Sequence, residues 1–168
     1  MSVDDKTKKL ASLLTTKEMQ EVKAWVKKYP DDQKQSAVLA ILTIVQKHYG
    51  YLTQELMDAV AEYLKMPAIA VYEVVSFYTM YETKPVGTYI INVCTNISCR
   101  LCGSTDLVKA FEKKLAIKLG ETTPDGRFTL RAVECLAACV DAPAMQINTK
   151  DYKNVTPADI DKVLEPYK

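Results

Sequence analysis

Glycine is scarce in this chain, with only 5 in 168 residues, and none belongs to a Gly-x-Gly-x-x-Gly or Walker phosphate-binding loop. Such loops need closely spaced glycines because the backbone must approach the phosphates of a nucleotide. The sequence therefore predicts no nucleotide or flavin site. If the chain takes part in an enzyme, we expect no complete active site in this chain alone and a substrate site on another subunit.

Other absences exclude further classes of function. The 22 basic and 21 acidic residues nearly cancel, so no global field favours binding to nucleic acid or to an anionic membrane surface. No apolar run approaches the ~20 residues needed to span a bilayer, so we expect no direct membrane insertion. Residues 1–6 include acidic side chains and no apolar signal core, which predicts a cytoplasmic protein. The single histidine, His48, excludes a Rieske cluster, which needs two histidine ligands.

Cysteine, in contrast, is clustered. Cys94 and Cys99 have four residues between them, and Cys135 and Cys139 have three. Clustered thiols in a reducing compartment are more often metal ligands or redox groups than structural disulfides. Two such pairs can give four thiolates to one soft metal centre, which we interpret as an iron–sulfur cluster. A structural zinc module is the first alternative, although zinc ligand sets are usually compact in sequence.

The fifth cysteine, Cys102, leaves the ligand set open. Cys94-x4-Cys99-x2-Cys102 followed by one distant cysteine matches the plant-type ferredoxin spacing, in which Cys135 or Cys139 is spare. In the two-pair arrangement, which we favour, only Cys102 is spare. Cys99-x-x-Cys102 ahead of a predicted helix also has the spacing of a thioredoxin-like dithiol oxidoreductase. That alternative leaves three clustered thiols unexplained.

Helical patterns dominate the first half of the chain. Residues 1–14 lack a strong cap and are predicted to be a frayed lead-in without a function. Four amphipathic helices are then predicted to begin after a Thr15/Glu18 capping box, near Gln35, after a Thr53 cap and near Ala68. They predict a helical domain over residues 1–83. Apolar and aromatic residues cover several faces of residues 71–81, so we expect that segment to be buried on several sides, as core or against a partner.

The second half alternates strands and helices from Lys84 onwards, so residues 84–168 are predicted to form a second domain. A strand at 89–93 leads to Cys94, a helix from Ser104 to Leu119 follows, and a strand at 127–133 leads to Cys135. Strand, helix and strand predict a right-handed parallel crossover, which brings the ends of both strands together.

Two short strands, at 144–148 and near Tyr152, and a final helix after Thr156 complete the pattern. The fold class is therefore predicted to be α+β. We expect an N-terminal helical bundle followed by a thioredoxin-like α/β ferredoxin domain with a mixed sheet.

Several segments together carry a specific resemblance. They are IVQKHYGYL at 44–52, VYEVVSFY at 71–78, KPVG at 84–87, VCTN at 93–96, TPDGRF at 123–128, ECL at 134–136, Cys139 and Ala142-Pro143. On these residues the chain resembles the thioredoxin-like 2Fe-2S subunit of respiratory NADH:quinone oxidoreductase, complex I. The resemblance covers nearly the whole chain after about residue 30.

The resemblance implies that Cys94, Cys99, Cys135 and Cys139 bind a 2Fe-2S cluster. It also implies a one-electron carrier beside the subunit that binds NADH and FMN, among other peripheral-arm subunits, in the cytoplasm and peripheral to the inner membrane through its complex. Related subunits of NAD-linked hydrogenases and formate dehydrogenases give an alternative host. The chain departs from the family at Ala137, where glycine is usual, and at Cys102. Ala137 could shift the loop amides if that position needs a positive φ.

Overall fold

The structure, a computed structural model, describes residues 9–167. The chain divides into two compact units, Met1–Pro85 and Val86–Lys168. The assignment of residues 1–83 and 84–168 as separate domains stays a prediction. Among the helices of residues 9–167, none is both long enough and apolar enough to cross a bilayer.

The first unit is helical. Its labelled helices are α1 (Thr16–Val26), α2 (Val38–Tyr49, preceded by the 3-10 turn Lys34–Ala37), α3 (Gln54–Leu64) and α4 (Ala68–Phe77). The predicted capping box starts α1, because the Thr15 hydroxyl accepts from the Glu18 N–H and the Glu18 carboxylate accepts from the Thr15 N–H. The Thr53 hydroxyl likewise accepts from the Leu56 N–H at 3.3 Å. Local capping signals therefore set both helix starts.

The lead-in contributes to the core of this unit. Residues 9–13 are helical, Leu10 is fully buried and Leu14 is buried. The prediction of a frayed lead-in is therefore wrong for residues 9–14, because tertiary packing holds a helix that local signals alone would not. The other part of that prediction, residues 1–8, lies outside the described residues.

The end of α4 also differs from the prediction. Of the α4 residues, Val71 and Val75 are buried, whereas Phe77 is 77 % exposed and Met80, just beyond the helix, is 54 % exposed. Within this chain the segment 71–81 is therefore not buried on several sides, and its burial against a partner stays a prediction. The helix stops at Phe77, since Tyr78 has an extended backbone. Beyond it Met80 is exposed, whereas Tyr81 returns to the core.

The second unit contains the sheet. Its strands are β1 (Tyr89–Cys94), β2 (Phe128–Val133), β3 (Met145–Ile147) and β4 (Lys150–Tyr152). Its helices are α5 (Ile97–Leu101), α6 (Ser104–Leu115) and α7 (Ile160–Leu164). The strand order is β2-β1-β3-β4, with β1 parallel to β2 and the other pairs antiparallel. The predicted α+β class and mixed sheet are confirmed.

The core of this unit lies between the sheet and α6. Six of its side chains are fully buried, namely Ile91, Val93, Leu107, Phe111, Leu130 and Met145. Burying each such side chain stabilises the fold by roughly 1.5–3 kcal/mol in transfer terms. The apolar residues of β1 therefore anchor the strand that ends at Cys94.

Helix α6 is shorter than predicted at its end and is capped differently at its start. It ends at Leu115, because Ala116 takes a left-handed φ of 55°, rather than continuing to Leu119. The residue before the helix is Gly103, not Ser104. The Ser104 hydroxyl is buried and finds no hydrogen-bond partner within the described part of the chain.

Gly87 allows the start of β1 to lie against β2. A Cβ at this position would lie 2.7 Å from the carbonyl carbon of Phe128, which is closer than real Cβ contacts come. The Gly87 N–H donates to the Thr129 hydroxyl at 2.6 Å. Only glycine leaves room for this approach of two backbones.

Candidate metal centre

Two cysteine segments meet where β1 and β2 end. We call residues 94–99 the first cysteine segment and residues 135–139 the second. Cys94 is in register with Val133, the last residue of β2, so Cys135 follows two residues beyond the paired strands. The Thr95 N–H donates to the Val133 carbonyl at 3.0 Å and continues the pairing past the last strand residue. Parallel strands thus place both segments at one edge of the sheet.

The first cysteine segment holds its thiols in the interior. Cys94 ends β1 and is 2 % exposed, and Cys99 lies within α5 and is 1 % exposed. Both pack against Ala144, which is also buried. The Asn96 side chain caps α5 by accepting from the Ile97 N–H at 2.8 Å. Regular elements on both sides therefore fix these two thiols.

The second cysteine segment leaves its thiols at the surface. Both cysteines are exposed: Cys135 lies in irregular chain after β2, and Cys139 begins the 3-10 turn Cys139–Asp141. Ala137 has a φ of 54°, in the left-handed region that favours glycine. Its N–H donates to the Cys135 sulfur at 3.2 Å. The sequence predicts that Ala137 shifts the loop amides only if its backbone needs a positive φ, and the structure shows that positive φ.

Cys94 connects the two segments electrostatically. Burial raises the pKa of its thiol, but hydrogen bonds from the backbone N–H groups of Asn96 and Leu136 lower it. Hydrogen bonds with the Cys99 and Cys135 thiols lower it further, so the pKa lies below its usual value. Cys94 therefore interacts with one thiol from each segment.

Cys99 shifts in the opposite direction. Burial raises the pKa of its thiol, and the Cys94 and Cys139 thiols raise it further, while a hydrogen bond from the Ala144 N–H opposes them. The influence of Cys139 shows that the last thiol of the second segment also lies within electrostatic range. All four thiols of the two pairs therefore belong to one interacting group.

The chemistry of this donor set fits an iron–sulfur cluster. The interacting groups are thiols, and backbone N–H groups of both segments point to sulfur, which stabilises thiolate ligands. Within residues 9–167, no three His, Cys, Asp or Glu side chains are grouped as ligands of one metal ion would be. A binuclear cluster does not need such a group, because each of its irons takes two protein ligands.

Comparison with known proteins agrees with this donor set. A family profile described as thioredoxin-like [2Fe-2S] ferredoxin matches residues 22–168. The chain belongs to the thioredoxin-like [2Fe-2S] ferredoxin family. A 2Fe-2S cluster is the cofactor of this family, which confirms the predicted cofactor, while the choice of ligands stays a prediction.

Curated relatives cover most of the chain. A subunit of the NADH-quinone oxidoreductase of Rickettsia typhi is 47 % identical over 143 residues, which are 84 % of this chain and 84 % of the relative. A subunit of the NADH-quinone oxidoreductase of Rhizobium meliloti is 42 % identical over 149 residues, covering 89 % of this chain and 88 % of the relative. The predicted resemblance to a subunit of this oxidoreductase is confirmed.

A solved structure shares the fold. In the crystal structure of an NAD+-reducing [NiFe]-hydrogenase in the H2-reduced state, the matched chain has a TM-score of 0.67 and 23 % identity. The match covers 78 % of this chain and 22 % of the hydrogenase chain, so this chain spans under a quarter of that chain's length. At this identity the likeness shows a common fold.

Cys102 lies apart from the four thiols in the hydrogen-bond pattern. It is exposed and follows α5 as its C-cap residue. A dithiol oxidoreductase needs an accessible nucleophile with a lowered pKa, whereas burial raises the pKa of Cys99, the other thiol of this Cys-x-x-Cys motif. In this fold the first thiol of the motif, Cys99, is buried and has a raised pKa, which does not suit dithiol chemistry.

Sequence reasoning missed an apolar surface around the cysteine segments. Ile97 is 73 % exposed and Leu101 is 84 % exposed, and both lie on α5. Val140, which follows Cys139 directly, is 97 % exposed. The four-residue spacing of Ile97 and Leu101 was a usable signal, because it puts both on one side of a helix that also carries Cys99. Nothing in the sequence indicated that this side faces outwards.

Proposed function

We propose that Cys94, Cys99, Cys135 and Cys139 hold the 2Fe-2S cluster of this chain and that the chain is an electron-transfer subunit of an NADH-quinone oxidoreductase. The observation that carries the proposal is the interaction of these four thiols, two from each cysteine segment, beyond the ends of adjacent parallel strands. The names of the curated relatives support the host complex. Substrate binding and the chemistry on NADH belong to other subunits.

Backbone groups of this chain stabilise the negative charge that a cluster and its thiolate ligands would carry. A 2Fe-2S cluster on four thiolates accepts and returns one electron at a time. The N–H groups of Asn96 and Leu136 toward Cys94, of Ala144 toward Cys99 and of Ala137 toward Cys135 stabilise negative sulfur. These donors are backbone groups, so they keep their direction without a side chain having to move.

Burial gives the site a closed side and an open side. The interior thiols of the first cysteine segment are shielded from water, whereas those of the second lie at the surface. Shielding from water protects the interior sulfurs from oxidants, and an exposed edge allows close approach of a redox partner. We therefore infer that electrons enter and leave through the side of Cys135 and Cys139.

The partner in this proposal is the subunit that binds NADH and FMN. Ile97 and Leu101 on α5 and Val140 beside Cys139 are strongly exposed apolar side chains, and interfaces that exclude water are built on such side chains. Other peripheral-arm subunits complete the assembly, and the chain is cytoplasmic and peripheral to the inner membrane through them. The names of the relatives support membership of a multi-subunit oxidoreductase. The shared hydrogenase fold keeps an NAD-linked hydrogenase as the second host.

The ligand set is tested by single Cys→Ser variants of the purified chain, each assayed for iron, inorganic sulfide and visible absorption. We expect loss of the cluster, or a clearly altered electron paramagnetic resonance signal after dithionite reduction, in the variants of Cys94, Cys99, Cys135 and Cys139. Cys102→Ser is the matched control and should keep the wild-type signal. Loss of the cluster in Cys102→Ser, or zinc in place of iron in the wild type, contradicts the proposal.

The partner is tested by co-purification with the NADH- and FMN-binding subunit from the same organism. Leu101→Asp puts a charge in the proposed interface and should weaken capture while leaving the cluster spectrum unchanged. Leu119→Asp is the control, because Leu119 is an exposed apolar residue of the same unit outside the cysteine segments. Equal capture of both variants contradicts the proposed docking surface.

A further inference from the structure

One side chain joins the two cysteine segments by two hydrogen bonds. The Asn96 Oδ1 atom accepts from the Ile97 N–H at 2.8 Å, at the start of α5. The Asn96 Nδ2 atom donates to the Glu134 carbonyl at 2.9 Å, one peptide before Cys135. The two ends of one short amide therefore contact the element that carries Cys99 and the peptide that leads into Cys135.

Both contacts control the position of a thiol. A helix of only five residues, as α5 is, depends on its cap and its packing, and Asn96 supplies that cap. The Glu134 carbonyl and the Cys135 nitrogen share one planar peptide unit, so fixing the direction of the carbonyl also fixes the plane from which Cys135 departs. Asn96 thus restricts the placement of Cys99 and Cys135 relative to each other.

The hydrogen bonds of the adjacent Thr95 do not duplicate this link, although the Leu136 N–H and the Cys135 thiol also bond to Cys94 across the two segments. The Thr95 N–H and hydroxyl both donate to the Val133 carbonyl, at 3.0 and 3.3 Å, and so extend the β1–β2 pairing. Asn96 reaches one peptide further, where the second cysteine segment leaves the sheet. The bond to Glu134 therefore holds chain that has no strand pairing of its own.

The same bond affects charge beside Cys94. The Glu134 carbonyl oxygen lies 3.9 Å from the Cys94 sulfur. The partial positive charge of the Asn96 N–H on that oxygen offsets part of its negative field at the neighbouring thiolate, which favours a reduced cluster because reduction adds negative charge. Loss of the donor should therefore make reduction less favourable.

We propose that Asn96 is a positioning residue that couples the two cysteine segments and raises the reduction potential of the cluster. The inference rests on the proposed ligand set. It assigns to one uncharged, exposed side chain both the mutual placement of Cys99 and Cys135 and a part of the electrostatics at Cys94.

The test compares Asn96→Ser and Asn96→Asp with wild-type chain carrying its cluster. Both substitutes retain an oxygen that can accept from the Ile97 N–H, but neither can keep the amide donation to Glu134. We expect Asn96→Ser to release iron to a chelator on the order of tenfold faster and to have a more negative midpoint potential. Asn96→Asp should shift the potential further in the same direction, because it adds a negative charge.

Asn148 provides a matched control at the other end of β1. Its Oδ1 atom accepts from the Ile90 N–H at 2.8 Å and its Nδ2 atom donates to the Thr88 carbonyl at 3.0 Å. Asn148→Asp therefore removes the same kind of amide bridge away from the cysteine segments. It should lower the thermal stability of the chain while leaving iron release and potential at their wild-type values.

The possible outcomes separate the two proposals. Wild-type iron release and potential in Asn96→Ser overturn this inference and leave the ligand set standing. Equal changes in Asn96→Ser and Asn148→Asp overturn it too, because the effect is then a general loss of stability. A folded but cluster-free Asn96→Ser chain, checked by circular dichroism, is the extreme of the expected loss and supports the inference. A wild-type chain without iron overturns the proposed ligand set and this inference together.

Discussion

The two cysteine segments offer the same chemical group in opposite surroundings. Cys94 and Cys99 come from a strand end and a helix and are nearly inaccessible, whereas Cys135 and Cys139 come from irregular chain and the start of a 3-10 turn and are exposed. In the first segment, core packing positions the thiols. In the second, a left-handed residue and a few hydrogen bonds do so. One half of the site is therefore held by the fold and the other by local geometry.

This difference in burial gives the two halves of the site different physical properties. A half that is part of the core is preorganised and shielded, because its side chains move only when the core opens. A half on irregular chain is cheaper to deform and lies within reach of a partner. We therefore expect the thiols of the second half to be far more accessible to reagents than those of the first half.

The largest expected contrast is in thiol reactivity. In the cluster-free chain, iodoacetamide should modify Cys135 and Cys139 on the order of 100-fold faster, or more, than Cys94 and Cys99, because the buried thiols react only after local opening. The lowered pKa of Cys94 favours its thiolate, but burial withholds the sulfur from the reagent. Mass spectrometry of timed, digested samples measures each site.

Denaturant provides the control for this contrast. The four thiols should react at similar rates once the chain is unfolded. Similar rates in the folded chain would remove the distinction between a buried and an exposed segment.

The next largest effect should come from Gly87→Ala. The new Cβ would meet backbone atoms of Phe128 and Thr129, which cannot rotate away as a side chain can, so β2 must shift against β1. We expect a loss of about 1–3 kcal/mol in the free energy of unfolding, measured with urea. Because each strand carries one cysteine segment, this variant should also bring the alkylation rates of the two segments closer together.

Gly126→Ala is a useful comparison for Gly87→Ala. Gly126 has a φ of 69° and an open environment, so a Cβ there meets strain but no clash. It should destabilise the chain while preserving the difference in alkylation. A stable Gly87→Ala chain with unchanged alkylation would mean that the strand approach does not control the segments.

The sequence predicted those parts of the fold that depend on local signals. The Thr15/Glu18 capping box, the strand that ends at Cys94 and the parallel order of β1 and β2 follow from short patterns and from connection rules. The end of α6 did not, because Ala116 adopts a left-handed conformation that usually requires glycine. The exposure of Phe77 could not be predicted from local patterns either, because it depends on which side chains the rest of the helical unit covers.

For the candidate site, the spacing of cysteines predicted the chemistry and two possible ligand sets. Resemblance to a family was needed to prefer one of them. The exposure of Cys135 and the second hydrogen bond of Asn96 depend on residues distant in sequence and could not be read from a pattern. Exposure and cross-links are properties of the assembled sheet edge, whereas spacing is a property of the chain.

Ala137 gives a smaller effect with an unusual sign. Its left-handed backbone costs a non-glycine residue about 1 kcal/mol, so Ala137→Gly should stabilise the cluster-free chain by up to that amount. Ala138, with a φ of −117°, is the control, because Ala138→Gly should destabilise the chain by roughly 0.5–1 kcal/mol. Urea unfolding measures both.

The opposite substitution sharpens this result. Ala137→Val should destabilise the second cysteine segment, since a β-branched residue tolerates positive φ poorly. An Ala137→Gly chain that loses as much stability as Ala138→Gly would show that the backbone at 137 stores no strain.

The smallest expected effect is a pH-dependent change in stability at Glu18, in the helical unit. It should leave the difference between the two cysteine segments unchanged. Hydrogen bonds from the Thr15 hydroxyl and N–H, and then from His48, lower the pKa of Glu18 from 4.5 to about 2. A carboxyl whose pKa is depressed on folding stabilises the fold fully above its unfolded pKa, and that contribution disappears as pH falls through the folded pKa. The stability difference between wild type and Glu18→Gln should therefore be constant above about pH 5 and shrink between about pH 4.5 and pH 2.

Helical circular dichroism of the cluster-free chain during urea unfolding at several pH values measures this difference. Thr15→Ala should remove part of the same pH dependence, because the Thr15 hydroxyl supplies the largest contribution to the shift while the backbone N–H at position 15 remains. The alkylation pattern of the cysteine segments should be the same in both variants and in the wild type at neutral pH, since the affected contacts lie at the start of α1 and the end of α2. A change in cysteine reactivity in Glu18→Gln would mean that the contrast between the two segments depends on the helical unit and does not arise at the sheet edge alone.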